Sequence, residues 1–276
     1  MTTAILGPGA VGGSLAARLA LAGERVICVA RPETAAAIRD DGLALVYEGE
    51  ELRARPEAVE TLEEPVELLL VAVKSPGLAE ALGRVKAEPQ LVLPLLNGLE
   101  HMAVLRERFR SVTAATIGRL EAFREAPTRI VQHKAALVTV AGDDLPAPLL
   151  QAGVETRLGG GDVDVLWEKL ARQAPLALLT SVTGKSTGDV RSDPRLRAAV
   201  EEACAVAVAD GAHTTLAEQW SIIESLPPEL TTSTARDVAA GWPSELDAIA
   251  GGVVRAGRRL GVPTPTFEEL LAACPA

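Results

Sequence analysis

The sequence predicts an α/β protein, a parallel-sheet domain followed by an all-helical domain, and three observations carry that prediction. In the first part of the chain, short continuous apolar runs alternate with segments of helical spacing. A glycine-rich stretch, GPGAVGG, closes the first run and opens the first helix. From about Trp167 onward the strand-like runs stop and long segments rich in Ala, Leu and Val take over.

Taken in order, residues 3–6 form a short apolar run that ends at glycines. Residues 12–22 place apolar side chains at helical spacing and end near Gly23, a suitable helix stop. Residues 25–30 (RVICVA), 67–73 (ELLLVAV), 91–95 and 112–117 are predominantly apolar. Strands covered on both faces lose their polar alternation, so such runs predict a parallel sheet with right-handed helical crossovers. Residues 164–181, 194–212 and 245–260 then read as long helices. The three glycines at 159–161 read as a linker, which sets the expected domains at 1–161 and 162–276.

Composition bounds the function. The 276 residues are 48% apolar, enough for two cores, and aromatics are only 3%, so Ala, Val and Leu must do the packing. The net charge of −10, without a Lys/Arg cluster, argues against nucleic acid as partner. No apolar run is long enough to span a bilayer, and the N-terminus lacks the basic-then-apolar order of a signal peptide. Cys28, Cys204 and Cys274 are odd in number and widely spaced, so neither a disulfide framework nor a zinc site is expected, and a reducing, cytoplasmic setting fits. His101, His133 and His213 are too dispersed for a metal triad. His133, Trp167, Trp220 and Trp242 read as structural or packing residues, and the acidic stretch 48–51 as a solvated loop or edge turn.

Gly7-Pro8-Gly9-Ala10-Val11-Gly12 matches G-x-G-x-x-G in the strand–turn–helix context that gives the pattern meaning. Gly7 permits the tight turn, Gly9 lets backbone approach a pyrophosphate, and Gly12 lets the helix pack against the strand. The first-turn N–H groups and the helix dipole then favour phosphate. The expected fold of the first domain is therefore Rossmann-type. At the end of the second strand, where an NAD enzyme carries Asp or Glu for the ribose 2′-hydroxyl, this chain has Arg31. A guanidinium grips a 2′-phosphate that a carboxylate would repel, so the expected cofactor is NADP(H).

These pieces occur in one order along the chain: GPGAVGG with Arg31, VAVKS, LLNG, WEKL, and SELDAIAGGVVRAGRRLGVPTP. Together they resemble the ketopantoate reductase (2-dehydropantoate 2-reductase) family over nearly the whole length. The resemblance implies a Rossmann domain, a helical domain, and hydride transfer from NADPH to a 2-oxo acid in the cleft between them. It further implies that Lys169 in WEKL is the catalytic lysine and that Glu245 in SELD lies beside the active site. Lys74 in VAVKS and Asn97 in LLNG resemble residues near the cofactor, with Asn97 also near the substrate. Ser233 in TTSTARD lies where the family holds the substrate carboxylate. The family has Asn four and eight positions after the catalytic lysine, and here those positions are Gln173 and Ala177. Gln173 can still bond a substrate and Ala177 cannot, which bears on the substrate more than on the reaction. The resemblance is compatible with a monomer or a homodimer.

The chemistry needs such residues. Hydride addition to a ketone builds negative charge on oxygen, and an ammonium aimed at that oxygen stabilises the charge and delivers the proton. Lys169 is the candidate, although a solvated lysine with a pKa of about 10.4 is a poor acid at neutral pH. Glu245 can accept from Lys169 or from a substrate hydroxyl, and it also suits a helix first turn capped by Ser244. Thr231–Thr234 can equally cap a helix, and Asn97-Gly98 can be a plain turn. The expected activity is reduction of a small anionic 2-oxo acid, with 2-dehydropantoate first among candidates. The alternatives are a reductase of another 2-oxo acid and a non-catalytic NADP-binding sensor. The Lys-x-x-Asn motif of β-hydroxyacid and 6-phosphogluconate-type dehydrogenases is absent at Lys169.

Overall fold

A computed structural model describes residues 1–274. The chain divides into two compact units: Met1–Leu96 with His101–Asp162, and Asn97–Glu100 with the chain from Val163 onward.

The first unit is built on a five-stranded parallel sheet. Its strands are β1 (Thr2–Leu6), β2 (Arg25–Val29), β5 (Glu57–Val59), β6 (Leu68–Val71) and β7 (Leu91–Pro94), in the order β5-β2-β1-β6-β7. Order reverses between β1 and β6, which makes the C-terminal edge of β1 the topological switch point of the sheet. Along β1 successive side chains enter different cores. Ile5 joins one with Leu15 and Leu19 of α1 (Ala10–Leu21), while Ala4 and Leu6 join another with Leu69 and Val71. Burial on both faces explains the unbroken apolar run.

Two smaller sheets complete the unit. One has the order β4-β3-β10-β9, from β3 (Leu43–Tyr47), β4 (Glu50–Ala54), β9 (Glu121–Ala126) and β10 (Arg129–Lys134). The β3–β4 hairpin turns through Glu48 (φ 52°) and Gly49 (φ 82°), the positive-φ pair that a two-residue turn requires, so the acidic stretch is an edge turn. The other sheet is β12-β11-β8, from β8 (Ala115–Gly118), β11 (Leu137–Val140) and β12 (Glu155–Leu158). Here the structure departs from the expectation for residues 112–117. Val112 makes a single parallel bridge to Val92, but β8 pairs antiparallel with β11 outside the parallel sheet. The reason is that β8 is buried like a central strand, and continuous burial reads the same whichever strand pairs with it. Helices α2 (Pro32–Asp41), α3 (Leu78–Leu82), α4 (His101–Arg108) and α5 (Ala147–Gln151) fill the connections.

The second unit is helical. It comprises α6 (Asp162–Thr183), whose first residue the division leaves with the first unit, then α7 (Thr187–Val190), α8 (Pro194–Ala209), α9 (Leu216–Ser225), α10 (Ser233–Ala239), α11 (Gly252–Leu260) and α12 (Pro265–Ala272). A single π-helical turn, Asp247–Gly251, leads into α11. The core is mostly Ala, Val and Leu around Trp167 and Phe267, both fully buried. Trp167 packs as expected and donates from Nε1 to Asp210 at 2.9 Å. Trp242 does not pack: it is 67% exposed in the coil before the π turn, where no neighbouring element covers it. His133 lies in β10 as expected, but on its exposed side against Phe123. No described helix is long and apolar enough to cross a membrane, and no cluster of metal-ligating side chains occurs among the described residues.

Candidate active site

The glycine turn follows directly from the end of β1. Gly7 has φ +88°, and a Cβ there would lie 2.4 Å from Val73 Cγ1. A Cβ on Gly12 would lie 2.3 Å from the Gly7 carbonyl oxygen, and one on Gly13 would lie 2.8 Å from Ile130 Cδ1. These three glycines are closed in by protein, so each is required by packing or φ. Gly9 is different: no atom lies within 4 Å of the position its Cβ would take. It is the N-cap of α1, next to first-turn N–H groups that have no acceptor within the helix. The open space over Gly9 is the cradle that a dinucleotide pyrophosphate needs, and the residues present fit that group. Gly13, which the pattern does not include, was legible only from the doubled glycine of GPGAVGG.

Arg31 follows β2 as the N-cap of α2 and is exposed, with Nη2 3.3 Å from Glu80 Oε2 of α3. Glu80 also accepts from Arg84, and the two guanidiniums, Arg84 foremost, hold its carboxyl below the ordinary range. Lys74 follows β6, exposed, at the start of the 3-10 turn Ser75–Gly77.

A second constellation assembles wholly within the helical unit. Lys169 and Gln173 sit four apart on α6 and therefore share a face, with Ala177 one turn further. The loop Asn97–Glu100 brings Asn97 to that face. Asn97 Oδ1 accepts from Lys169 Nζ at 2.7 Å and from Gln173 Nε2 at 3.0 Å. Its amide nitrogen donates to Glu245 Oε2 at 2.8 Å. Two donors on the oxygen and a carboxylate on the nitrogen leave only one orientation for this amide. Gly98 allows the approach. With φ +88°, it passes so close to the π turn that a Cβ would lie 2.4 Å from the Ala248 carbonyl oxygen. Asn97-Gly98 is thus a turn and also the seat of this cluster.

Lys169 is half-buried, and desolvation lowers its pKa from 10.5 to about 8. Glu245 opposes that fall and Arg172 adds to it. A lysine in this state is mostly protonated at neutral pH yet can release its proton readily. Glu245 precedes the π turn and accepts at its backbone oxygen from Ile249 N at 2.9 Å, while Ser244 Oγ lies 3.5 Å from Leu246 N. Its helix-entry role and its place in the cluster coexist.

Ser233 is not part of this cluster. It is exposed in the first turn of α10, whose cap is Thr232, accepting from Ala235 N at 3.1 Å. The Thr232 hydroxyl in turn lies 2.9 Å from that of Thr180 on α6. Thr232 thus caps α10, and its link to Thr180 was not legible because it joins residues 52 apart. Ala177 is buried, and the hydroxyl of Ser181 occupies its carbonyl oxygen at 2.6 Å.

A Rossmann-type sheet with an open glycine turn, and a helical unit carrying the Lys169–Asn97–Glu245 cluster, fit a nucleotide-dependent oxidoreductase. Residues 3–143 match the family model described as Ketopantoate reductase PanE/ApbA, and residues 163–275 match the model of its C-terminal part. The chain belongs to the ketopantoate reductase family, whose members are oxidoreductases acting on CH–OH donors. A 2-dehydropantoate 2-reductase of Caulobacter vibrioides is 30% identical over 98% of this chain and 96% of its own. The crystal structure of a PanE/ApbA family ketopantoate reductase from Ralstonia eutropha superposes with a TM-score of 0.86 at 29% identity, covering 99% of this chain and 96% of that one. A D-mandelate dehydrogenase, solved with NADH and anilino(oxo)acetate, shares the fold with a TM-score of 0.89 at 20% identity, over 99% and 96% of the two chains.

Proposed function

We propose that the chain reduces a small 2-oxo acid to the 2-hydroxy acid with NADPH, and that the acid is 2-dehydropantoate, converted to pantoate for pantothenate biosynthesis. One observation carries this reading: an asparagine amide, held at its nitrogen by Glu245, presents its oxygen to an ammonium that burial has made a usable acid. In this reading Lys169 stabilises the oxyanion of the reduced carbonyl and donates the proton to it. Asn97 orients the ammonium, Glu245 holds Asn97 and favours the protonated lysine, and Gln173 and Ser233 are assigned to substrate contacts.

Residues 1–161 are proposed as the NADP(H)-binding domain and 162–276 as the substrate domain. NADPH supplies the hydride when bound. Gly7, Pro8, Gly9, Ala10, Val11 and Gly12 would hold its pyrophosphate, Arg31 its 2′-phosphate, and Lys74 and Asn97 its nicotinamide side. The open space over Gly9 supports the first assignment, and the exposed guanidinium of Arg31 supports the second.

A second reading, a 2-oxo acid with a different side chain, is favoured by Ala177, which offers the substrate no polar side-chain group. A non-catalytic sensor is disfavoured, since a sensor has no need of a lysine with a lowered pKa. NADPH oxidation followed at 340 nm with a panel of 2-oxo acids tests all three. Fastest turnover of 2-dehydropantoate supports the first reading, and another acid turning over faster supports the second. Tight NADPH binding without turnover of any member overturns both.

A further inference from the structure

Asn97 lies on the short loop Asn97–Glu100, and one side chain outside the cluster reaches the end of that loop. Arg255 of α11 donates to Glu100, at the end of that loop, from Nε to Oε1 at 2.7 Å and from Nη2 to Oε2 at 2.8 Å. This is the bidentate fork geometry that fixes direction as well as distance. The same guanidinium reaches Asp247, the first residue of the π turn. It donates to Oδ1 at 2.8 Å, to Oδ2 at 3.3 Å and to the backbone oxygen at 3.0 Å. Glu245 lies two residues before Asp247. One guanidinium therefore ties the loop bearing Asn97 to the turn that follows Glu245. Gly251 is a second sign that the fold makes room for this pair. A Cβ there would lie 2.6 Å from Asp247 Oδ1 and 2.9 Å from Arg255 Nη1.

We infer that Arg255 is a positioning residue of the site, clamping Asn97–Glu100 against the π turn so that Asn97 meets Lys169 and Glu245 together. The inference rests on the reading of those three residues as the reductase site. Exposed ion pairs usually add little stability. Orientation is the relevant quantity here, because a displacement of about 1 Å breaks a hydrogen bond and can cost orders of magnitude in rate. Lysine cannot replace the arginine, since an ammonium lacks the planar fork that makes two parallel bonds to the Glu100 carboxylate while still reaching Asp247.

The test is a crystal structure of Arg255→Met together with a double-mutant cycle. In the variant structure, the Asn97–Lys169 hydrogen bond is expected to be lost while the helices of the unit stay in place. An unchanged Asn97–Lys169 bond overturns the inference, and this readout does not depend on any substrate. In kinetics with NADPH and 2-dehydropantoate, Arg255→Met lowers kcat by about tenfold or more with a smaller effect on KM. In an Asn97→Ala background the same substitution lowers kcat less than about twofold, because there is no amide left to position. Equal losses in both backgrounds overturn the inference and assign Arg255 a merely structural role. Should Arg255→Met fail to fold, Glu100→Gln carries the same measurements, since it loosens the loop and leaves the arginine on Asp247. A wild-type chain inactive on every 2-oxo acid would fail the functional reading, while the variant structure still decides the positioning.

Discussion

The pKa of Lys169 makes the proposed proton donor testable by pH, and Glu245→Gln is the informative perturbation. A donor must be protonated to act, so kcat/KM for reduction is expected to be level below about pH 8 and to fall about tenfold per pH unit above it. A solvated lysine at the ordinary 10.5 would keep the profile level until well above pH 9. The fall from 10.5 to about 8 corresponds to roughly 3 kcal/mol against the protonated form. Burial supplies it, and Glu245 offsets part of it by attraction. Replacing Glu245 by Gln keeps an acceptor for Asn97 and removes that attraction, so the limb moves to lower pH. At pH 7.5 the protonated fraction then drops, and the rate drops with it. The assay is kcat/KM from pH 6 to 10 at saturating NADPH for both proteins. A wild-type limb above pH 10, or a Glu245→Gln limb that stays or moves up, would refute the reasoning. Stability gives an independent check on the same group. The folded pKa lies below the unfolded one, so between about pH 8 and 10.5 the unfolded chain binds more protons. The contribution of Lys169 to stability is therefore lowest below pH 8 and rises through that window. Urea unfolding of wild type against Lys169→Met should show a difference that changes across it and is constant below.

Three further outcomes are expected. Gly98→Ala meets both a positive φ and the Ala248 carbonyl oxygen at 2.4 Å, so it should cost roughly 1–3 kcal/mol in thermal unfolding and lower kcat by unseating Asn97. Gly12→Ala places a methyl 2.3 Å from the Gly7 oxygen, and a titration of NADPH fluorescence should show weakened binding alongside a lower Tm. Glu80→Gln removes the carboxylate facing Arg31, so NADPH binding should tighten about two- to fivefold, less so at high salt, with NADH binding unchanged.

Much of this was legible before any coordinates. The glycine turn was readable because Gly7 and Gly12 answer local steric demands and Gly9 leaves open space at the helix start, and Lys169 and Gln173 were readable as one helical face from their spacing. The parallel strands showed as apolar runs because both faces of β1 and its neighbours are covered. The smaller sheets were not legible. Strand β9, EAFREA, is largely exposed and carries charges, so it gives no apolar signal, and its pairing with β10 is decided by contact rather than composition. Strand β8 carried an apolar signal that its partner then contradicted. Trp242 read as a packing residue from its size, yet only the surrounding elements could decide whether anything covered it.

What the sequence by itself determined is what neighbours a few residues away govern: the strand–turn–helix unit at Gly7–Gly12, the helix faces and the apolar runs of the strands. Only the tertiary structure decided which distant residues meet. Asn97 and Lys169 are 72 residues apart, Asn97 and Glu245 are 148, and Arg255 and Glu100 are 155. The lowered pKa of Lys169 belongs to the same category, because desolvation and the charges of Glu245 and Arg172 arise only where packing brings segments together. Local geometry is written in sequence spacing, whereas the field at a buried amine is set by groups that the chain supplies from far away.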